Sequence, residues 1–354
     1  MSTPILTLLT PGTTASPRFI QVLEQARRGI PTQVLSRIPA GLSLKGRRIL
    51  FAVPLDASGC NPEYYQLLSL LRRSPGLLEG CTAGILVDGP GDLYTKSVAR
   101  ELALAANQAG CLLIGRPLVE ATGSLHNFTV QAKNAGCSLE EAYRLAAQDL
   151  CRRILTFSPR QTPQPKLTVL HASSHRTSNT LALWQLVKEQ LSPHCQVTEI
   201  GLRNGTLEDC AGCPYTMCLH FGEKGGCFYG GVMVQAVYPA VRESDALILL
   251  CPNYNDALSA NLTACINRLT ALYRTTPFTD KAVYSITVSG YSGGDIVAQQ
   301  MVSALCMNKG FYLPPDFCFL ATANQAGEAL KLPDIRQKMG QFAQRISAQL
   351  VQQA

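Results

Sequence analysis

Residues 166–180 read KLTVLHASSHRTSNT. A short, uniformly apolar run passes into a loop of hydroxyl and amide side chains and then into a segment of helical period. A run of that length, apolar on both faces, reads as a buried parallel strand over 167–172. The alternation continues, with further strands expected at 196–200, 246–251, 282–289 and 317–322. Helical period occupies 179–191, 233–243, 260–273 and 296–308, and a last helix covers 333–351 with Pro333 in its first turn. Strands that each feed a helix make a doubly wound three-layer αβα sandwich. Right-handed crossovers then place helices on both faces of the sheet.

Upstream, FSPRQTPQPK over 157–166 carries three prolines and no apolar periodicity, the composition of a semi-rigid linker. Before it the same plan recurs, with strand candidates at 5–10, 33–38, 48–55, 82–88 and 111–115. VPLDASGCNPEYYQLL from Val53 answers CPNYNDALSANLTACI from Cys251. VDGPGDLYTKSVARELA from Val87 answers VSGYSGGDIVAQQMVSA from Val288. The chain therefore reads as a tandem repeat, residues 1–156 and 167–354 about the 157–166 linker. The first copy is shorter between its second and third strands.

Composition bounds the function. With 46% hydrophobic and 16% charged residues the chain can bury two cores, which excludes disorder. The net charge of +7 is spread without a basic stripe, so no nucleic-acid partner is expected. No run of about 18 apolar residues occurs, so no membrane span is expected. The N-terminus lacks the basic-then-apolar order of a secretory leader. The 14 cysteines sit mostly singly in apolar runs, as reduced core residues would, and point to the cytoplasm. The N-x-T sequons at Asn127, Asn204 and Asn261 then carry no meaning.

In a doubly wound sheet the ligand lies beyond the C-terminal ends of the strands at the topological switch point. Three loops of the second copy reach that place. The first, ASSHRTSNT over 172–180, offers Ser173, Arg176, Ser178, Asn179 and Thr180 at a helix start, a phosphate cradle or an ordinary N-cap. The second, CPNYNDALSAN over 251–261, sets a Pro-x-Tyr ring and backbone amides at the rim, suited to a flat, partly apolar ring system. The third, VSGYSGGD over 288–295, has glycines that permit positive φ and close backbone approach. His171 and His175 flank the first loop and are not expected to be catalytic. No Ser-His-Asp set, Walker loop or HExxH sequence is present.

Between the second and third strands of this copy lies CAGCPYTMCLHFGEKGGC, which places Cys210, Cys213, Cys218 and Cys227 at C-x₂-C-x₄-C-x₈-C spacing. Such thiolates can wrap an iron–sulfur cluster, hold a structural zinc or act as redox thiols at Cys210 and Cys213. Tyr215, Phe221, Phe228 and Tyr229 cover a ligand from this side or pack the loop.

The three loops, in this order, resemble the flavodoxin-like NAD(P)H-dependent FMN reductases and iron–sulfur flavoproteins, from Lys166 to about Gln325 and more faintly in the first half. The resemblance implies two tandem flavodoxin-like sandwiches with five-stranded parallel sheets. It implies FMN, with its phosphate in the first loop. The isoalloxazine would rest on Pro252, Asn253, Tyr254, Asn255, Ser289, Gly290, Tyr291, Ser292, Gly293 and Gly294. Downstream, LTACINR over 262–268 matches the family's apolar-Lys-x-x-apolar-Asp-Arg helix, except that Thr263 replaces the Lys and Asn267 the Asp. Related iron–sulfur flavoproteins carry a tighter four-cysteine motif here, ligating a 4Fe–4S cluster beside the flavin. The first copy lacks both the Pro-x-Tyr aromatic and the cysteines. It reads as a degenerate unit that packs against the other half, dimerises or shapes the substrate opening. The implied activity is oxidation of NAD(P)H through FMN by a small-molecule or protein acceptor, in a chain that can form a homodimer. The alternative is an electron relay between protein partners through FMN and a cluster.

Overall fold

A computed structural model describes residues 5–12, 15–173 and 177–352. The chain divides into two compact units, Met1–Ser158 and Pro159–Ala354. In the first, the elements run β1 (Leu6–Leu9), α1 (Pro17–Ala26), β2 (Thr32–Leu35), β3 (Arg48–Pro54), α2 (Pro62–Arg73), β4 (Thr82–Asp88), α3 (Thr95–Gln108), β5 (Leu112–Ala121), α4 (Thr129–Ala135) and α5 (Leu139–Thr156). In the second they run β6 (Lys166–His171), α6 (Asn179–Lys188), β7 (Gln196–Gly201), α7 (Tyr215–Glu223), α8 (Tyr238–Glu243), β8 (Ala246–Pro252), α9 (Ala260–Tyr273), β9 (Ala282–Ser289), α10 (Gly294–Met301), β10 (Cys318–Thr322) and α11 (Ile335–Leu350).

Both sheets are five-stranded, and every strand pair within them is parallel. Their orders are β2-β1-β3-β4-β5 and β7-β6-β8-β9-β10, the same flavodoxin-like topology twice. The sequence reason is visible strand by strand. β3, β4, β8 and β9 are buried along nearly their whole length, as strands with helices on both faces must be. The edge strands β2 (TQVL) and β7 (QVTEIG) carry polar residues and stay largely accessible. In the second unit Trp184, Tyr238, Tyr284 and Phe342 are fully buried, and Phe278 stacks on Phe311 with ring centroids 4.6 Å apart.

Helix starts follow their caps. The side chains of Ser16, Asn61, Ser138 and Ser178 each accept a first-turn N–H, and Pro17 and Pro62 follow two of them.

Four features differ from the sequence expectation. β5 runs well past Gly115, because its register against β4 jumps from Ala83↔Leu113 to Ile85↔Leu118. The intervening residues bulge, with Arg116 at φ +53°, and Arg153 of α5 holds the carbonyls of Gly115 and Arg116 at 2.9 and 3.1 Å. The segments 233–243 and 296–308 are not uniform helices: π-helical turns at Met233–Val237 and Val302–Met307 adjoin α8 and α10. Pro333 lies outside the last helix, whose N-cap is Asp334 at φ +56°. The cysteine segment, expected as loop, contains α7.

Candidate functional site

In the second unit β6 and β8 are neighbours, yet the connections leaving them go to opposite sides, so their C-terminal ends form the switch point. The loop after β6 enters α6 through Ser178, whose Oγ accepts the Leu181 N–H (3.4 Å) and lies 2.9 Å from Thr180 Oγ1. First-turn N–H groups have no acceptor within a helix and together favour an anion. Asn179 is engaged elsewhere. Its Nδ2 donates to the carbonyls of Gln325 (2.9 Å) and Ala323 (3.4 Å), and its Oδ1 accepts from the Ala329 N–H (3.3 Å). It thereby draws the loop after β10 toward the switch point.

After β8, the Asn253 N–H donates to the Val288 carbonyl (2.8 Å). Its side-chain Nδ2 lies within reach of Ser292 O (3.0 Å), Ser289 Oγ (3.1 Å) and Asp256 Oδ1 (3.3 Å). Its Oδ1 is buried and, among the described residues, has no hydrogen-bond partner. Asn255 and Asp256 both have positive φ, in a turn closed by paired bonds between Tyr254 and Ala257. After β9, Gly293 has φ +82°, and a Cβ there would stand 1.8 Å from Asp256 Oδ1. That glycine is what allows the two loops to meet.

The loops enclose an open cavity of about 380 Å³. Of the residues expected from sequence, Ser173, Ser178, Asn179, Thr180, Pro252, Asn253, Tyr254 and Gly290 line it. Asn255, Ser289, Tyr291, Ser292, Gly293 and Gly294 do not: Ser289 and Gly293 brace the wall behind Asn253. Tyr291 is 81% exposed, its hydroxyl accepting from Asn324 Nδ2 (2.9 Å). Arg176 lies outside the described residues. Thr177, Val288, Ala323 and Asn324 also line the cavity and were not foreseen. The last two belong to the loop after β10, and nothing in TANQ (322–325) marks it as a wall until Asn179 is seen to hold it. The described lining is neutral, rich in hydroxyl and amide groups, with the Tyr254 ring at the rim.

FMN can be tested against these features. Its phosphate needs donors at a helix start, which Ser178, Thr180 and the first turn of α6 supply. Its ring edge needs polar partners, and the buried Asn253 Oδ1 is an acceptor lacking a donor. A Cβ at Gly290 would stand 3.1 Å from Asn324 Oδ1 across the lining, so the missing side chain keeps that part of the cleft open. The residues fit the group.

The four cysteines line a second cavity, of about 190 Å³. Cys210 and Cys213 flank Gly212 (φ +67°), Cys218 lies on α7, and Cys227 follows the Gly225 turn. Phe221, Phe228 and Tyr229 cover the cavity, and the C-terminal half of α9 contributes Asn267, Arg268, Thr270 and Ala271. Among the described residues no three His, Cys, Asp or Glu side chains come close enough to share one metal ion. Burial and the neighbouring Cys227 push the Tyr238 hydroxyl up. Among the described residues none lines both cavities. α9 begins just after the loop that follows β8, and Arg268 lies about 13 Å along it.

The equivalent place in the first unit is built differently. Arg18 of α1 donates to both oxygens of Asp88 at the end of β4 (3.1 and 2.8 Å) and to the carbonyls of Thr122 and Gly89. The Asp88 side chain is only 5% exposed. A paired guanidinium and carboxylate thus occupy the strand ends where the second unit has neutral groups. A smaller cavity of about 310 Å³ remains beside them.

Residues 165–325 match the model of the NADPH-dependent FMN reductase family. No curated protein matches the chain. Among solved structures, the NAD(P)H:quinone oxidoreductase of Methanothermobacter marburgensis is 16% identical, with a TM-score of 0.38, over 52% of this chain and 96% of that one. An FMN-dependent NADH-azoreductase of Bacillus anthracis is 12% identical (TM-score 0.36; 52% and 99%). The NAD(P)H:acceptor oxidoreductase FerB of Paracoccus denitrificans is 13% identical (TM-score 0.33; 52% and 98%). Among the described residues no helix is long and apolar enough to cross a membrane.

Proposed function

We propose that the second unit, matched to the NADPH-dependent FMN reductase family over residues 165–325, binds FMN at its switch point and oxidises NAD(P)H, passing the electrons to a small-molecule acceptor. The observation that carries this reading is the convergence of the loops after β6, β8 and β9 on one neutral cleft within the matched stretch.

Bound flavin supplies hydride acceptance and electron release. The chain supplies the rest. Ser178, Thr180 and the start of α6 hold the phosphate end. Asn253, fixed by Ser289 and Ser292, presents its free Oδ1 to a ring-edge N–H. The exposed rings of Tyr254 and Tyr291 frame an open face on which a planar nicotinamide and then a planar acceptor can stack in turn. Such alternation needs no acid or base from the protein, and the described lining contains none. A quinone or similar flat acceptor suits this cleft. The test is steady-state oxidation of NADH and NADPH by the FMN-loaded chain with a soluble quinone. Turnover that depends on both FMN and quinone supports the proposal. An FMN-loaded protein that neither nicotinamide reduces would refute it.

The alternative reading is an electron relay: Cys210, Cys213, Cys218 and Cys227 line one cavity, and thiolates at that sequence spacing can ligate an iron–sulfur cluster. In this reading a bound cluster would supply single-electron transfer onward from the flavin. The first unit, with Arg18 and Asp88 at its strand ends, serves without flavin.

A further inference from the structure

The first unit holds a second cavity, of about 530 Å³, beyond the C-terminal ends of β1 and β2 and against the first turns of α2. The sequence explains why it is there. The connection from β2 to β3, residues 36–47, contains no helix, whereas the matching connection of the second unit carries α7 and α8. The ground that a crossover helix would cover beside α2 is left open, at a volume typical of small-molecule sites.

Its walls combine three kinds of group. Leu9, Leu67 and Leu70 form an apolar side, the first two of them buried. Just past β2, Ser36 and Arg37 supply a hydroxyl and a guanidinium. Glu63 and Gln66, one turn apart on α2, supply a carboxylate and an amide. Arg37 and Glu63 line the same cavity, yet among the described residues neither takes part in an ion pair. The rim is held in place. Asn61, 6% exposed, donates from Nδ2 to the carbonyls of Pro11 (3.1 Å) and Pro54 (2.8 Å), and its Oδ1 accepts the Tyr64 N–H (2.9 Å). Gly12, at φ +85°, brings the β1–α1 turn to where a Cβ would stand 3.2 Å from Glu63 Oε2.

A ligand that matches this set is flat and apolar in one part, gives hydroxyl or amino donors to Glu63, and carries an anion for Arg37. A purine nucleoside phosphate has all three. Position says which phosphate. In dinucleotide-binding doubly wound sheets a residue roughly 20 positions past the first βα turn reads the ribose, an acid accepting from its 2′-hydroxyl and an arginine taking a 2′-phosphate. The segment after β2 reads SRIPAG, with an arginine and no acid. The first turn, TPGTTASPR, has one glycine, short of the three that admit a pyrophosphate.

We propose that the first unit binds a purine nucleoside 2′-phosphate, the group that distinguishes NADPH from NADH. The phosphate rests on Ser36 and Arg37, the base lies along Leu67 and Leu70, and Glu63 accepts from the sugar or the base. This site goes beyond the flavin reading and rests on the first unit alone.

The experiment is isothermal titration of the full chain, with and without FMN, using 2′,5′-ADP, 5′-AMP and inorganic phosphate, in wild type and Arg37→Ala. Arg37 is exposed and makes no ion pair among the described residues, so its removal should leave the fold intact, which the melting temperature checks. Wild type is expected to bind 2′,5′-ADP more tightly than 5′-AMP. Arg37→Ala should lose about tenfold or more for 2′,5′-ADP and change little for 5′-AMP. No binding of 2′,5′-ADP, or binding indifferent to Arg37→Ala, overturns the proposal. Inorganic phosphate bound as tightly would mark a bare anion site and overturn it too, and an equal loss for 5′-AMP would overturn the 2′ assignment. Arg37-dependent binding of 2′,5′-ADP by a chain that takes up no FMN would sink the flavin reading and support this one.

Discussion

Replacing Gly293 by alanine tests whether the geometry of the switch-point loops sets cofactor affinity. At φ +82° an alanine pays the left-handed penalty, about 1–2 kcal/mol. Its Cβ would stand 1.8 Å from Asp256 Oδ1 and 3.0 Å from Asn253 Nδ2. Asp256 can swing aside, giving up its contact with Asn253, worth about 1 kcal/mol. The sum is about 2–3 kcal/mol. Taken up in folding, it lowers the melting temperature of a unit this size by ~4–12 °C. Taken up in the cleft, it weakens FMN binding about 30- to 150-fold. The two are separated by thermal denaturation with and without FMN, together with a direct binding titration. Wild type should gain about 2.7 kcal/mol when FMN is present at 100 times its Kd, and Gly293→Ala should gain less at the same concentration. An alanine variant with lowered stability but unchanged FMN affinity would refute the placement of FMN against this loop. One unchanged in both would refute the backbone argument itself.

Arg18→Ala should destabilise the first unit by about 2–3 kcal/mol, because it leaves Asp88 buried without its partner while Arg18 itself retains some access to water. FMN content should not change, and limited proteolysis should cut first within residues 1–158. Glu328 accepts the N–H groups of Gln325 (2.7 Å) and Asn324 (2.6 Å) at the cleft wall, and these donors hold its carboxyl below the usual range. A depressed folded-state pKa stabilises above the unfolded value and is lost as pH falls through the folded one. Below the ordinary carboxylate range, wild-type melting temperature should therefore fall more steeply than that of Glu328→Gln. Parallel curves would place the sensitivity elsewhere.

The sequence carried the sheet well because parallel strands with helices on both faces must be apolar throughout, and 246–251 and 282–289 announce themselves in that way. It carried the cleft in part. Ser178, Asn253 and Tyr254 follow directly from strand ends, since the switch point fixes where those ends meet. Asn324 and Ala323 did not, because they reach the cleft through the Asn179 side chain, a contact between distant segments that no local pattern encodes. Ser289 and Gly293 were placed at the right loop but one layer too far forward. There the period of a strand end says which loop is present and not which atoms face in. α7 was missed because its glycines and aromatics read as turn and cover. The bulge at Arg116 was missed because Gly-Arg-Pro looks like a strand's end, whereas Arg153 of α5 carries the strand past it.

The central claim is that one flavin site exists, in the second unit. An equilibrium titration of the full chain with FMN, followed by addition of NADPH or NADH under anaerobic conditions, tests it most directly. One FMN bound per chain, weakened by Gly293→Ala, unaffected by Arg18→Ala and bleached by a reduced nicotinamide, is the expected result. No binding, or binding that survives Gly293→Ala and is lost with Arg18→Ala, would contradict it.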